Sequence, residues 1–169
     1  DHRGIYEVGI STGGTIAPQS AVVVEAKPII PDHEGTDFRA DLPRVKLTAL
    51  NDGLATAWGH ACLPEFAGLR VATLALGTGV GCGIVDRGEI WMGPQGEYPR
   101  LNDIVLKGGS TFEDLLGGAA LTPNPSARDI AQANEAAKSA VELITNLYYP
   151  DVIVVCGGVG LSNWLEIDA

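Results

Sequence analysis

The chain has 169 residues, 46% hydrophobic and 19% charged, with a net charge of −10. A chain of this size buries roughly 70% of its unfolded surface, and its composition is that of a folded domain, not a disordered segment. Its acidity argues against nucleic acid as a partner, so an anionic ligand would need donors or metal ions supplied locally. No apolar run is long enough to span a membrane, and no basic segment leads into an apolar leader.

Residues 4–10, "GIYEVGI", read as a strand entering the glycine turn "STGGT". "SAVVVEAKPII" (20–30) reads as a second strand, closed by Pro28 and Pro31. Residues 31–42 are polar and predict a loop with a short helix. "PRVKLTAL" (43–50) sets Val45, Leu47 and Ala49 against Arg44, Lys46 and Thr48, the alternation of a half-buried strand. "NDGLATAWGHACL" (51–63) changes to helical spacing, with Leu54, Ala57, Trp58 and Ala61 on one face and Asn51 or Asp52 as N-cap.

"GLRVATLAL" (68–76) reads as a buried strand, and "GCGIVDRGEIWMG" (81–93) as two short strands turning at Asp86-Arg87-Gly88. "SARDIAQANEAAKSAVELITNLYY" (126–149) predicts a helix from Ser126, with Asp129 as capping-box partner. Its apolar stripe is Ile130, Ala133, Ala137, Val141, Ile144 and Leu147, and Pro150 ends it. "DVIVVCGGVG" (151–160) is an apolar strand running into glycines. Hairpin strands followed by a long helix and a further strand predict an α/β fold with a mixed sheet.

Cys62, Cys82 and Cys156 form no CxxC pair and are odd in number, which fits reduced thiols of the cytoplasm, each expected in the core. His2, His33 and His60 share no ligand spacing with them, so no zinc site is expected.

"LALGTGVGCGIVDRGEI" (74–90) is neither a GxGxxG fingerprint nor a Walker loop, because it leads into a strand and lacks GK[ST]. Two readings remain for strand–GTGVG–strand: a hairpin aiming N–H groups at phosphate with Thr78 as an added donor, or a tight hairpin without a ligand. The second strand-to-glycine exit, "VVCGGVG", favours a nucleotide approached from two sides, with "GISTGGT" serving the other substrate. Asn51-Asp52 lies where a strand becomes a helix. The pair can cap the helix, or Asp52 can receive the proton of an alcohol during phosphoryl transfer.

Four ordered segments, "GISTGGT", "LNDGLATAW", "LGTGVGCGIVDRGEIWMGPQGE" and "PDVIVVCGGVG", together resemble the ROK family (repressors, open reading frames, sugar kinases) of the actin-like ATPase superfamily. The "GISTGG" and "ND" segments look most like N-acylmannosamine kinases. The resemblance implies an actin-like (ribonuclease H-like) α/β fold with parts of two lobes. Residues 1–50 would end the first lobe and carry a sugar-side loop, and 51–169 would be a partial second lobe.

The implied activity is ATP-dependent phosphorylation of a hexose or N-acylhexosamine hydroxyl by a cytoplasmic homodimer, with Mg²⁺ held mainly through the nucleotide phosphates. By resemblance, Asp52 is the base and Asn51 hydrogen-bonds the sugar. Gly14, Thr15, Glu97 and Glu113 contact the sugar as well. Gly77, Thr78 and Gly79 hold phosphates, and Gly157 and Gly158 lie by the adenosine. "GISTGGT" also mimics the family's first phosphate motif, GIDxGGT, but Ser11 stands too close to Asp52 for that alignment. The first phosphate motif is therefore expected to be missing and both ends to be cut, so that the chain by itself binds ATP poorly.

Four departures accompany the likeness. Arg100 stands where the family has a histidine three residues beyond the glutamate, and 97–121 contain none of the family's zinc-binding cysteines, so zinc is not expected. Ile29 replaces a sugar-binding asparagine, and His60 replaces a glutamate. Arg100 reads either as a contact to a substrate oxygen or as a solvated side chain, and the solvated reading is the expected one. A ROK-type sugar-responsive regulator or a catalytically silent relative is the alternative function. The helix-turn-helix that precedes the kinase-like part of such regulators is not found in this sequence.

Overall fold

The computed structural model describes residues 7–27, 30–121 and 124–167. His2, Ile29, Pro28 and the opening of the strand expected at 4–10 lie outside them.

The chain builds β1 (Glu7–Thr12), β2 (Thr15–Ala17), β3 (Val22–Glu25), α1 (Phe38–Asp41), β4 (Lys46–Asn51) and α2 (Asp52–Ala61). It continues with β5 (Arg70–Leu76), β6 (Val80–Asp86), β7 (Glu89–Ile90), α3 (Phe112–Leu116), α4 (Ala127–Tyr148), β8 (Val152–Cys156) and α5 (Gly157–Gly160). Among the described residues of the run expected as a strand at 20–30, Val22–Glu25 form the strand, antiparallel with β2.

β1 and β4 run parallel, from Glu7 opposite Lys46 to Thr12 opposite Asn51. Both strands therefore deliver their C-terminal ends, Gly13-Gly14 and Asn51-Asp52, to the same edge. Under this pair Ile16, Ala21, Val23, Leu47 and Ala49 form a small core.

The second sheet has the order β7-β6-β5-β8. β5 and β6 form the hairpin around Gly77–Gly79, and β8 lies parallel to β5 on its other side, so the sheet is mixed as predicted. The β6–β7 turn holds Arg87 at φ 50° and Gly88 at φ 87°, the left-handed pair that a tight hairpin requires. Ala72, Leu74, Leu76, Cys82 and Ile84 face α4, whose Ala133, Ala136, Ala137, Ala140 and Ile144 are buried. The capping box is present as predicted, with Ser126 and Asp129 satisfying each other's backbone N–H.

The opposite face of the sheet receives α2, and here glycine makes the fit. A Cβ on Gly83 would lie 2.6 Å from the carbonyl oxygen of Gly53 and 2.7 Å from the Ala57 Cβ. The alternating glycines thus serve different ends, since Gly77 and Gly79 form a turn and Gly83 seats a helix.

Three apolar expectations are corrected. Trp58 is 47% exposed and Leu147 is 59% exposed, because α2 and α4 bury narrow stripes of small residues where the sequence pattern suggested bulky ones. Gly53, Leu54 and Ala57 are the buried positions of α2. Cys62 is exposed at the end of α2, Cys156 is half-buried, and only Cys82 is in the core. Burial pushes the Cys82 thiol up to about 12.

Candidate functional site

The site starts from Asn51, the last residue of β4, which is only 4% exposed. Its Oδ1 accepts the N–H groups of Gly53 (2.9 Å) and Leu54 (3.4 Å), making it the N-cap of α2. Its Nδ2 donates to the Gly14 carbonyl oxygen at 3.0 Å. One side chain therefore ties the first glycine turn to the start of α2. Gly14 itself is at φ 96°, with the Glu25 carbonyl oxygen 2.6 Å from where a Cβ would stand. Thr15, next in line, is buried at the start of β2.

Asp52 opens α2 with an exposed side chain at the positive end of the helix. Its neighbour Gly53 presses on the backbone of β6, with Cys82 N only 3.2 Å from a would-be Cβ. The start of α2, which carries Asp52, thus lies between the Gly14 turn and the strand that leaves the Gly77–Gly79 hairpin. Tyr98 registers its field: burial pushes the phenol up, Arg100 opposes that, and Asp52 adds to it.

The hairpin is clasped from two sides. The Gly77 and Thr78 carbonyls accept from Gly118 N (2.8 Å) and Ala119 N (2.9 Å). Gly157, at φ 89°, closes on Leu76 and Gly77 so tightly that a Cβ would collide with the Leu76 carbonyl. Thr78, at the tip, and Gly158, which follows Gly157, are both exposed. The Gly117-Gly118 segment was missed by the sequence reading, although "GGAA" directly after a short helix was a visible signal.

Behind this junction a cavity of about 550 Å³ is lined by Gly118, Ala119, Gly158, Val159, Ser162 and Trp164. A flat half-buried aromatic, small residues and backbone amides suit a nucleoside. Among the described residues no group of three His, Cys, Asp or Glu could hold a metal ion.

The two glutamates stand apart. Glu97 is exposed, and its Oε2 accepts Gln95 N at 2.8 Å. Its loop is anchored at Gly96, which lies flush on the Ile16 carbonyl of β2, so Glu97 stays on the side of the Gly14 turn. Glu113 is at the hairpin instead: its Oε2 accepts Val80 N at 2.8 Å and its Oε1 lies 3.6 Å from Lys27 Nζ.

Arg100 combines exposure with two ion pairs. It is exposed, as expected, but its guanidinium is held by Glu25 and Asp103 and is not free to meet a substrate. His60 is half-buried and bonds the Thr56 carbonyl at 2.9 Å. His33, which the sequence offered only as a non-ligand, lies on the first glycine turn, with Nε2 3.0 Å from Thr12 Oγ1 and 3.1 Å from the Gly13 carbonyl.

No family model matches the chain. A curated glucokinase from Aeropyrum pernix is 28% identical over 110 residues, which is 63% of this chain and 34% of that protein. The chain therefore spans about a third of that relative. The ROK hexokinase of Thermus thermophilus superposes with a TM-score of 0.76 at 22% identity, covering 92% of this chain and 63% of the hexokinase. A ROK glucokinase from Streptomyces griseus, solved with glucose and AMPPNP, gives a TM-score of 0.75 at 21% identity over 94% of this chain and 67% of that one. A ROK transcriptional regulator, a homologue of the E. coli MLC protein, gives 0.71 at 16% identity over 91% of this chain and 50% of its own. The fold of this chain is thus that of the ROK sugar kinases, an actin-like ATPase fold.

Proposed function

We propose that this chain carries the acceptor-side and phosphate-hairpin parts of an ATP-dependent kinase for a hexose or N-acylhexosamine hydroxyl. One observation carries the reading. The helix that begins with Asp52 is tied to the Gly14 turn by Asn51 and pressed against β6 just beyond the Gly77–Gly79 hairpin. A carboxylate between an acceptor turn and a phosphate turn is what transfer to an alcohol requires of the protein.

In this reading the sugar lies against Gly14, Thr15 and Glu97. Asp52 takes the hydroxyl proton as the sugar oxygen forms its bond to the γ-phosphorus, and the bond to the β,γ-bridging oxygen breaks, releasing ADP. The Thr78 and Gly79 amides and the Thr78 hydroxyl face phosphate oxygens, the Gly77 amide closes the turn on the Gly79 carbonyl at 3.0 Å, and Gly157 and Gly158 border the nucleoside cavity. Mg²⁺, held through the phosphates, would neutralise charge on the transferring group. Asn51 acts mainly as the tether, since its oxygen and one amide hydrogen are already bonded. Glu113, matched by resemblance to a sugar contact, braces the hairpin through Val80 N.

We read residues 1–50 as the end of the acceptor-side lobe and 51–169 as part of the nucleotide-side lobe, in a cytoplasmic homodimer that binds sugar and ATP but no nucleic acid. A second reading, a sugar-responsive regulator, draws on the similarity to the ROK regulator and on Arg100 standing in the histidine position. Phosphorylation of a sugar panel by the protein containing this chain decides between them. Asp52→Asn is expected to lower turnover about 10²–10⁴-fold with an unchanged circular dichroism spectrum. An unchanged rate would remove Asp52 from the role of base.

A further inference from the structure

Between the acceptor turn and the phosphate hairpin runs an unbroken file of alternating charges. Arg100 Nη1 donates to both carboxylate oxygens of Glu25, at 2.7 and 2.8 Å. Its Nε and Nη2 donate to Asp103 Oδ2 at 2.8 and 2.7 Å. The other oxygen of Asp103 meets Lys27 Nζ at 3.0 Å, and Lys27 in turn lies 3.6 Å from Glu113 Oε1. Glu113 Oε2 then accepts Val80 N, the first amide after the hairpin.

The two ends of the file abut the two halves of the site. Glu25 pairs with Thr15, and its carbonyl packs on Gly14. Gly79 has the Glu113 carboxylate 3.1 Å from a would-be Cβ. The five side chains come from β3, the segment after it, the 3-10 turn Leu101–Asp103 with its cap Arg100, and α3. The turn is already tied to α3 through Phe112 N on the Ile104 carbonyl, and the pairs of Arg100 with Glu25 and of Lys27 with Asp103 and Glu113 carry the file across from β3. Their side-chain exposures run from 32% to 55%, too wet for any single pair to be strong. Arg100 is the exception in geometry, since its planar fork grips two carboxylates at once.

We propose that Lys27 and Arg100 are positioning residues. They hold the acceptor turn and the phosphate hairpin at a fixed setting through this ladder, with no metal in it. The inference rests on the kinase reading. Each cation governs the end it is nearest. Without Lys27 the Glu113 charge stands uncompensated behind the phosphate hairpin. Without Arg100 the Glu25 carboxylate is released beside the acceptor turn.

Steady-state kinetics on the protein containing this chain test this with both substrates varied. Lys27→Met is expected to raise KM for ATP about three- to ten-fold with little change in KM for the sugar. Arg100→Met is expected to do the reverse. Lys27→Arg is expected to restore the ATP value, because it renews the link to Asp103 and Glu113. Raising salt to about 1 M, where screening acts over ~3 Å, is expected to raise KM for ATP more in the parent than in Lys27→Met.

A folded Lys27→Met with parental KM for ATP overturns the proposal, as does Lys27→Arg behaving like Lys27→Met. Should Lys27→Met fail to fold, Glu113→Gln is read in its place. It cuts the same link, so a salt response equal to the parent's overturns the ladder. A parent protein that phosphorylates no sugar refutes the kinase reading itself, whereas an active parent with indifferent variants refutes only the ladder.

Discussion

Asn51 shows how one side chain serves fold and site together. Its carbonyl oxygen caps α2 while its amide holds the Gly14 carbonyl, both from a position only 4% exposed. Asn51→Ala loses both at once; Gly53 N–H keeps the Asp52 carboxylate, but Leu54 N–H and the Gly14 carbonyl lose the Asn51 side chain. The expected cost is about 2–3 kcal/mol, read from the urea midpoint. Asn51→Asp keeps the cap but sets a carboxylate oxygen against the Gly14 carbonyl. It should recover part of the stability, and none of the sugar affinity if the tether sets the turn. The sequence reading found the residue and both of its neighbours, because strand-to-helix transitions with Asn or Asp are local signals. It could not find the Gly14 bond, which spans 37 positions and exists only once β1 and β4 are paired.

At the scale of elements, the contact between α2 and β6 decides where Asp52 stands. Two backbones meet there at glycine: Gly53 on the helix and Gly83 on the strand. Gly83→Ala would drive a methyl into the Gly53 carbonyl and the Ala57 Cβ, so helix or strand must shift. Overpacking of this kind costs about 1–3 kcal/mol. Because the helix carries Asp52, turnover should fall together with the melting temperature, and calorimetry with a kinetic assay on the same sample checks both. Gly88→Ala, in the exposed β6–β7 turn, is the fitting control, since it stresses a hairpin far from α2 and should leave turnover intact. The capping box of α4 was legible because Ser126 and Asp129 are three residues apart. The buried stripe of α4 was read less well. Its alanines, not Leu147, face the sheet, and hydrophobicity alone does not reveal that a close helix–sheet approach prefers small side chains.

Over the whole molecule the net charge of −10 sets the response to pH. Burial works against ionisation of Asp103, but Lys27 and Arg100 outweigh it and hold the carboxyl below the usual range. The Arg70 hydrogen bond holds Asp86 low as well, and Thr111 and Ser126 do the same for Asp114 and Asp129. A carboxyl with a depressed folded value adds stability above its unfolded value, near 3.9, and loses it as pH falls through the folded one. The melting temperature should therefore be flat from neutral pH to about 5 and fall below about 4. Asp103→Asn should lower it at pH 7 and shallow that acid limb. A thermal-denaturation series from pH 7 to 3 checks both, and an acid limb as steep in the variant as in the parent would remove Asp103 from the ladder.

The sequence by itself determined the α/β class, the mixed sheet, the capping box of α4 and the candidate Asp52, because these rest on period, turn chemistry and short spacings. The ordered glycine segments also pointed to a fold that the structural comparisons then supported. Tertiary structure alone decided what the glycines do. The turn residues Gly77 and Gly79 and the helix seat Gly83 look identical in the string "GTGVGCG" and differ only in what lies across from them. Arg100 was settled the same way. Whether an exposed guanidinium is left free or held in ion pairs depends on carboxylates 3 and 75 residues away, and no local pattern records a contact made by chain segments that meet only after folding.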